Sequence, residues 1–249
     1  MVGAISVRGK HAAARMALQR IETVLGYACA MGWATNNVAA WSTFKHLMPD
    51  YPDVKPHAMI AWDEAPAVVA KLRQSASMGA LALEFVILTA ARLSEARLAE
   101  FTEIDFDRET WTVPASRMKR GLEHSVPLSS RALAIVTELR RLRPRGRYVF
   151  PSHDGAPLGR AAIWATACRM TDDRASVHGF RASFRSWCSD HAVPFEVAEA
   201  CLAHAKTSVV AAYDRSSLLE RRRPVMQQWS DYLNGKAAAN VIELQARRA

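Results

Sequence analysis

Cysteine is scarce in this chain and badly spaced for its usual structural uses. The four (Cys29, Cys168, Cys188, Cys201) are scattered, with no CxxC pair. That spacing excludes a disulfide framework and a cysteine-built metal site, and the four read as buried free thiols in a reducing compartment. Eight histidines occur without HExxH or comparable ligand spacing, so no metal is expected. There is no glycine-rich phosphate loop, which argues against nucleotide hydrolysis. No run of about 18 apolar residues is present, so no membrane span is expected. The N-terminus lacks the charged start, apolar stretch and small-residue cleavage site of a clear signal peptide. Internal repeats and low-complexity segments are also missing.

What the chain does hold is core-forming material and positive charge. Of 249 residues, 50% are hydrophobic, enough for one large domain or a full domain with a small companion. Lys and Arg number 33 against 24 Asp and Glu, a net charge of +9. A balance of that kind favours nucleic acid or an anionic membrane surface as partner; an arginine-rich protein with no special partner is the ordinary alternative. The charge is uneven. Residues 114–147 carry nine Lys or Arg against two Asp or Glu, a local net of +7 that marks one basic surface.

Periodicity predicts helices through most of the chain. Over 11–32, Ala14, Leu18, Ile21, Leu25 and Cys29 recur at three- and four-residue steps, with Gly32 as the C-terminal stop. A shorter helix is expected near 38–46. Pro49, Pro52 and Pro56 then place a linker. A helix opens at Trp62-Asp63-Glu64, and 79–91 is apolar almost all round, as a central buried helix should be. It delivers Arg92 at its end, with Ser94 as cap of the next helix. Trp111–Val113 and Ser125–Leu128 read as strands of a hairpin whose turn, 116–121, projects cations. Ser129 caps a helix to about 143, with Ala132, Leu133, Val136, Leu139 and Leu142 inward. Tyr148–Phe150 reads as a third strand, and 159–169 as a helix. Ser176 caps a helix with an apolar stripe of Val177, Phe180, Phe184 and Trp187. Pro194 starts another helix ending near His204, a break is required near 205–208, and 218–233 is a last helix with Pro224 as a kink or a fresh start. Gly235 stops it, leaving 236–249 as a tail. The expected fold is mainly α with a small antiparallel β-sheet (α+β).

One constellation stands out. His178 and Arg181 are three residues apart, which on a helix puts both on one face. An imidazole beside a guanidinium can move a proton and hold a phosphate oxygen together. Arg92 and Lys119 are further cations upstream, and Tyr213 follows as a phenol able to act as nucleophile. Each has an ordinary reading when taken singly: a surface charge, a solvated lysine, a satisfied helix-end histidine, a core aromatic.

Taken together the residues resemble a known family. Thr89-Ala90-Ala91-Arg92-Leu93-Ser94-Glu95, Met118-Lys119, His124-Ser125-Val126-Pro127-Leu128, His178-Gly179-Phe180-Arg181, Leu202-Ala203-His204 and Tyr213 stand in the order and spacing of the tyrosine recombinases, and look most like integrases of prophages and genomic islands. The resemblance covers roughly residues 58–233. It implies a tyrosine-recombinase catalytic domain over 54–235, preceded by part of a helical core-binding domain and linker over 1–53 and followed by the tail. Most of the core-binding domain and any arm-binding domain look absent, so a truncated integrase is expected. DNA cleavage and rejoining through a covalent phosphotyrosine is implied, with no metal, ATP or other cofactor. The implied roles are Tyr213 as nucleophile, His178 as base, Arg92 and Arg181 as phosphate clamp, Lys119 as proton donor to the leaving oxygen, His204 as hydrogen-bond donor and Glu95 as support. Arg117, Arg120 and Lys206 are expected to touch DNA. Double-stranded DNA and other copies of the chain in a tetrameric synapse are the implied partners, in a bacterial cytoplasm at the nucleoid. A DNA-binding remnant without turnover and a topoisomerase-like nicking and resealing enzyme are the alternatives. Arg181→Ala is expected to abolish cleavage and leave the fold intact.

Overall fold

The computed structural model describes residues 11–44, 58–118, 121–204 and 217–235. The chain divides into two compact units, Met1–Pro56 and His57–Ala249. The expected linker prolines, the break near 205–208 and the tail from 236 lie outside the described residues.

In the first unit, helix α1 (His11–Ala30) buries Ala14 and Leu18. Gly32, with φ of 72°, donates to the Cys29 carbonyl and closes the end, as a glycine in the left-handed region can without strain. A short helix, α2 (Trp41–Phe44), is tied back to α1, its Trp41 amide donating to Glu22 at 2.8 Å.

The second unit is built on one hydrophobic core that runs from Ile60 to Leu233. Its centre is helix α4 (Met78–Thr89), ten of whose residues are buried. Ahead of it, a 3-10 turn at Trp62–Glu64 leads into α3 (Ala65–Arg73). Ser77 caps α4 by accepting from the Ala80 amide. The all-apolar reading of α4 missed Glu84, 1% exposed and bonded to Arg73 of α3 at 2.7 Å and to Arg131 of α6 (Ser130–Leu142) at 2.8 and 2.9 Å. Burial raises its pKa, but hydrogen bonds from the two guanidiniums outweigh that and bring it below the usual carboxylate value.

The sheet has three antiparallel strands in the order β1 (Ile104–Asp105), β2 (Thr110–Val113), β3 (His124–Pro127). Trp111 pairs with Val126 and Val113 with His124. The third strand expected at Tyr148–Phe150 is not one: Tyr148 makes a single bridge to Glu100, and Val149 donates to Ala99. With Pro151 next, that stretch cannot extend a ladder. Ser129 caps α6 as expected, but Leu142 is 57% exposed and Ile135 takes the inward place.

Helices α7 (Arg160–Thr171), α8 (Gly179–Asp190), α9 (Phe195–Cys201) and α10 (Leu219–Leu233) complete the unit. The aromatic stripe of α8 packs Phe184 and Trp187 against Trp229 of α10, with ring centroids 5.6 and 5.2 Å apart. Trp229 also donates to the Ile87 carbonyl of α4 at 2.9 Å. Pro224 lies inside α10, which runs through it, so the proline marks no fresh start.

Candidate functional site

Two helix ends make the site. Helix α4 stops at Ala90, whose φ of 49° turns the chain and presents its carbonyl outward. Helix α9 stops at Leu202, with Ala203 turned the same way at φ 48°. The last carbonyls of a helix have no partner within it and lie at the negative end of its dipole. Here they receive guanidiniums. Arg181 donates to the Ala90 carbonyl through one nitrogen and to the Leu202 carbonyl at 2.6 Å through the other. Arg92 donates to the Ala203 carbonyl at 3.4 Å.

Arg92 begins the short helix α5 (Leu93–Arg97) and is its cap, which corrects the assignment of that role to Ser94, already inside the helix. Glu95 takes the Arg92 amide at 2.8 Å and its guanidinium at 2.8 Å. A carboxylate 3% exposed thus holds the more open arginine in one orientation. Among the described residues no carboxylate hydrogen-bonds Arg181 directly. It is 4% exposed, and burial, with Arg92 adding to it, pushes its pKa down to about 10. The cost of burying that charge is met by main-chain acceptors, and the Glu95 and Glu199 carboxylates within electrostatic reach offset only part of its field.

His204 completes the cluster. Its Nε2 lies 3.5 Å from Arg181, and its Nδ1 faces Glu199 at 2.8 Å. Glu199 also accepts from Arg185 at 2.8 Å. Arg185 therefore supports this carboxylate from the next turn of α8. His178 stands at the cap of α8 with helical φ and ψ (−70° and −29°), exposed and three residues ahead of the buried Arg181. Ser176 is therefore not the cap residue expected, although its hydroxyl accepts from the Gly179 amide at 3.1 Å. Gly179 is required here: a Cβ would come within 2.3 Å of the Ala58 carbonyl and 2.9 Å of Met59 Cα. The segment 58–60 lies against the start of α8 and is held there by Ser183, which donates to the Ile60 carbonyl at 2.7 Å.

The structure thus brings Arg92, Glu95, Arg181 and His204 together. Lys119, Arg120, Lys206 and Tyr213 lie outside the described residues. Arg117 does not project from the hairpin turn. It folds inward onto Glu103 and onto the Glu95 carbonyl at 3.3 Å, with 17% of its side chain exposed, which corrects the expectation that the turn projects it outward. Of the four thiols Cys188 and Cys201 are buried and Cys29 and Cys168 are half-buried.

Two residues outside the expected roles belong to the site. His124 opens β3 within electrostatic reach of Arg222, Glu95, Arg92 and Arg181; burial first and then Arg222 push its pKa down to about 4. It stays a neutral imidazole among cations. Arg222 of α10 is 1% exposed. The sequence held a signal for it, because Val225, Met226 and Trp229 follow at three, four and seven residues and put Arg222 on the buried face. Among the described residues no group of three His, Cys, Asp or Glu could hold a metal ion. A separate hollow beside the sheet, lined by Asp105, Asp107, Glu109 and Glu220 against Arg108 and Arg223, is acidic on balance and a poor match for a phosphate.

The chain is 33% identical over 247 residues to the prophage integrase IntA of Escherichia coli K12, covering 96% of this chain and 58% of that protein. It is 29% identical over 257 residues to the integrase of Enterobacteria phage P4, covering 92% and 57%. The chain therefore spans a little over half the length of these relatives. Among solved structures, a lambda integrase (75–356) dimer bound to a COC′ core site matches with a TM-score of 0.63 at 17% identity, over 84% of this chain and 77% of that one. The Tn1549 transposon integrase in complex with circular intermediate DNA matches at 0.62 and 11%, over 86% and 79%. At such identities the likeness is one of fold. The profile of the phage integrase family matches residues 59–219, more than half of the chain and every described residue of the site but Arg222, and the chain belongs to that family.

Proposed function

We propose that this chain is a site-specific DNA recombinase that cuts and rejoins strands through a 3′-phosphotyrosine on Tyr213. The observation that carries the reading is the pair of guanidiniums, Arg92 and Arg181, oriented by main-chain carbonyls and Glu95 beside one imidazole. Forked donors of this kind suit the non-bridging oxygens of a phosphodiester. Two fixed cations side by side stabilise the extra charge of the pentacoordinate transition state.

In the proposed step the phenol oxygen of Tyr213 attacks phosphorus, the bond from phosphorus to the 5′ oxygen breaks, and the phenol proton passes to His178. Lys119 gives a proton to the departing 5′ oxygen. The phosphotyrosyl linkage keeps the energy of the broken bond, so rejoining is the same step run backwards with a 5′ hydroxyl as nucleophile. A phenol with a pKa near 10 is about 0.1% ionised at neutral pH, which is why base and field are both needed. His204 presents Nε2 as the edge that meets a phosphate oxygen, and Glu95 keeps Arg92 aimed. Arg120 and Lys206 are the proposed backbone contacts.

The relatives bear the names of integrases, and the lambda and Tn1549 structures hold DNA, one of them as a dimer. These support double-stranded DNA as substrate and further copies of the chain as partners. We assign residues 1–53 to part of a core-binding domain, 54–235 to the catalytic domain, and the protein to the bacterial cytoplasm. Among the described residues no helix is long and apolar enough to cross a membrane.

The test is a denaturant-resistant adduct. The full chain is incubated with a pool of nicked duplexes of random sequence, and DNA that survives a denaturing wash on the protein is recovered and read. The parent should retain a defined sequence and Tyr213→Phe none. An adduct on the phenylalanine variant refutes the nucleophile. Retention of DNA only under native conditions supports a binding protein without turnover.

A further inference from the structure

Arg222 is a cation in the wrong place for stability. It is 1% exposed, and no carboxylate pairs with it among the described residues. One terminal nitrogen donates to the Ser125 carbonyl at 2.7 Å and the other to the Ala200 carbonyl at 3.4 Å, while Nε has no acceptor. Burial pushes its pKa down, which records the cost of keeping it charged. An apolar side chain of similar volume would serve packing as well or better. A group retained at that cost needs a use other than holding the fold together.

Its two partners suggest the use. Ser125 is on β3, the strand that follows the hairpin turn containing Lys119. Ala200 is in the last turn of α9, which leads to Leu202, Ala203 and His204. Arg222 itself stands on α10, the first element after the segment that contains Tyr213. We propose that Arg222 is a positioning residue for strand cleavage, a buried clasp that holds the hairpin strand and the end of α9 in register with the helix that follows the tyrosine segment. This rests on the recombinase reading above. The clasp grips main chain on both sides, so it sets backbone position rather than a side-chain rotamer. It also faces His124, the residue next to Ser125, whose neutrality depends on burial first and on Arg222 second. His124 lies within electrostatic reach of this clasp and of the Arg92–Arg181 pair, and its titration reports whether the cation is in place.

The experiment compares the full-length parent with Arg222→Met and Arg222→Lys on the nicked duplex recovered in the adduct selection. Methionine keeps bulk without charge; lysine keeps charge without the fork. Adduct formation should fall about 10- to 100-fold in both, the range expected when catalytic groups are misplaced by about an ångström. The melting temperature of Arg222→Met should stay within about 4 °C of the parent. The His124 ring, followed by NMR, should titrate higher than in the parent in Arg222→Met, while burial still holds it below its ordinary value, and should stay at the parent value in Arg222→Lys. An unchanged adduct rate in Arg222→Met overturns the proposal, and so does a fall explained wholly by a lost melting transition in both variants. If the parent itself forms no adduct, the recombinase reading fails, and amide exchange decides for the clasp. Peptides covering 122–128 and 197–203 should then exchange faster in Arg222→Met with 78–89 unchanged; uniform or unaltered exchange overturns it.

Discussion

Arg181 has two duties that pull in opposite directions. Its guanidinium is proposed to meet a phosphate, yet it is 4% exposed and already bonded to two carbonyls. Arg181→Ala should therefore do more than remove cleavage. Loss of transition-state stabilisation should cost about 3–4 kcal/mol in rate, and the orphaned carbonyls of Ala90 and Leu202 about 1–3 kcal/mol in stability. Single-turnover adduct formation and urea unfolding would measure the two separately. An unchanged unfolding midpoint would restore the simpler expectation that only chemistry suffers. His124 makes a second prediction. Its pKa is about 4 in the fold, against an ordinary 6.5. Above pH 6.5 both folded and unfolded forms are neutral and the ring contributes nothing. Between 6.5 and 4 the unfolded chain takes up a proton that the folded one refuses, so stability falls as pH falls, by up to about 3 kcal/mol. His124→Gln should flatten that interval in urea titrations at stepped pH. The roles proposed for Arg92, Arg181 and His204 came from their order along the chain. The buried partners Glu84 and Arg222 did not, because hydropathy treats an isolated charge on an apolar face as noise.

Elements were more legible than contacts. The helices of the second unit announce themselves through apolar periodicity and through a cap such as Ser129, which depends on residues three or four positions away. Tyr148–Phe150 was misread because a short apolar run has no periodicity of its own; whether it pairs depends on a distant neighbour. The inward fold of Arg117 was hidden for the same reason, since its acceptors Glu103 and Glu95 come from other elements. Two predictions belong here. Gly179→Ala drives a methyl into the Ala58 carbonyl. It should cost about 1–3 kcal/mol or more and loosen the 58–60 segment, detectable as faster amide exchange there. Glu84→Gln removes the charge that gathers α3, α4 and α6 around two arginines. Breaking such a pair should destabilise the unit by about 3 kcal/mol, read from the unfolding midpoint, with the recovered DNA sequence unaltered.

At the scale of the whole molecule, the described core of the second unit runs without interruption from Ile60 to Leu233. Residues 57–249 expressed alone should unfold in one cooperative transition; a broad, non-cooperative one would mean that the first unit is needed for folding. DNA affinity of the full chain, with its net +9, should fall linearly in a log–log plot against salt. The hands that hold the two proposed clamp arginines have a longer consequence. Apart from Glu95, they are peptide oxygens at Ala90, Leu202 and Ala203. Every amino acid carries that oxygen, so these three positions can change identity over evolutionary time while the grip endures, provided the turn itself survives. An ancestry erased from the letters of a chain can in this way outlast them in the path of its backbone.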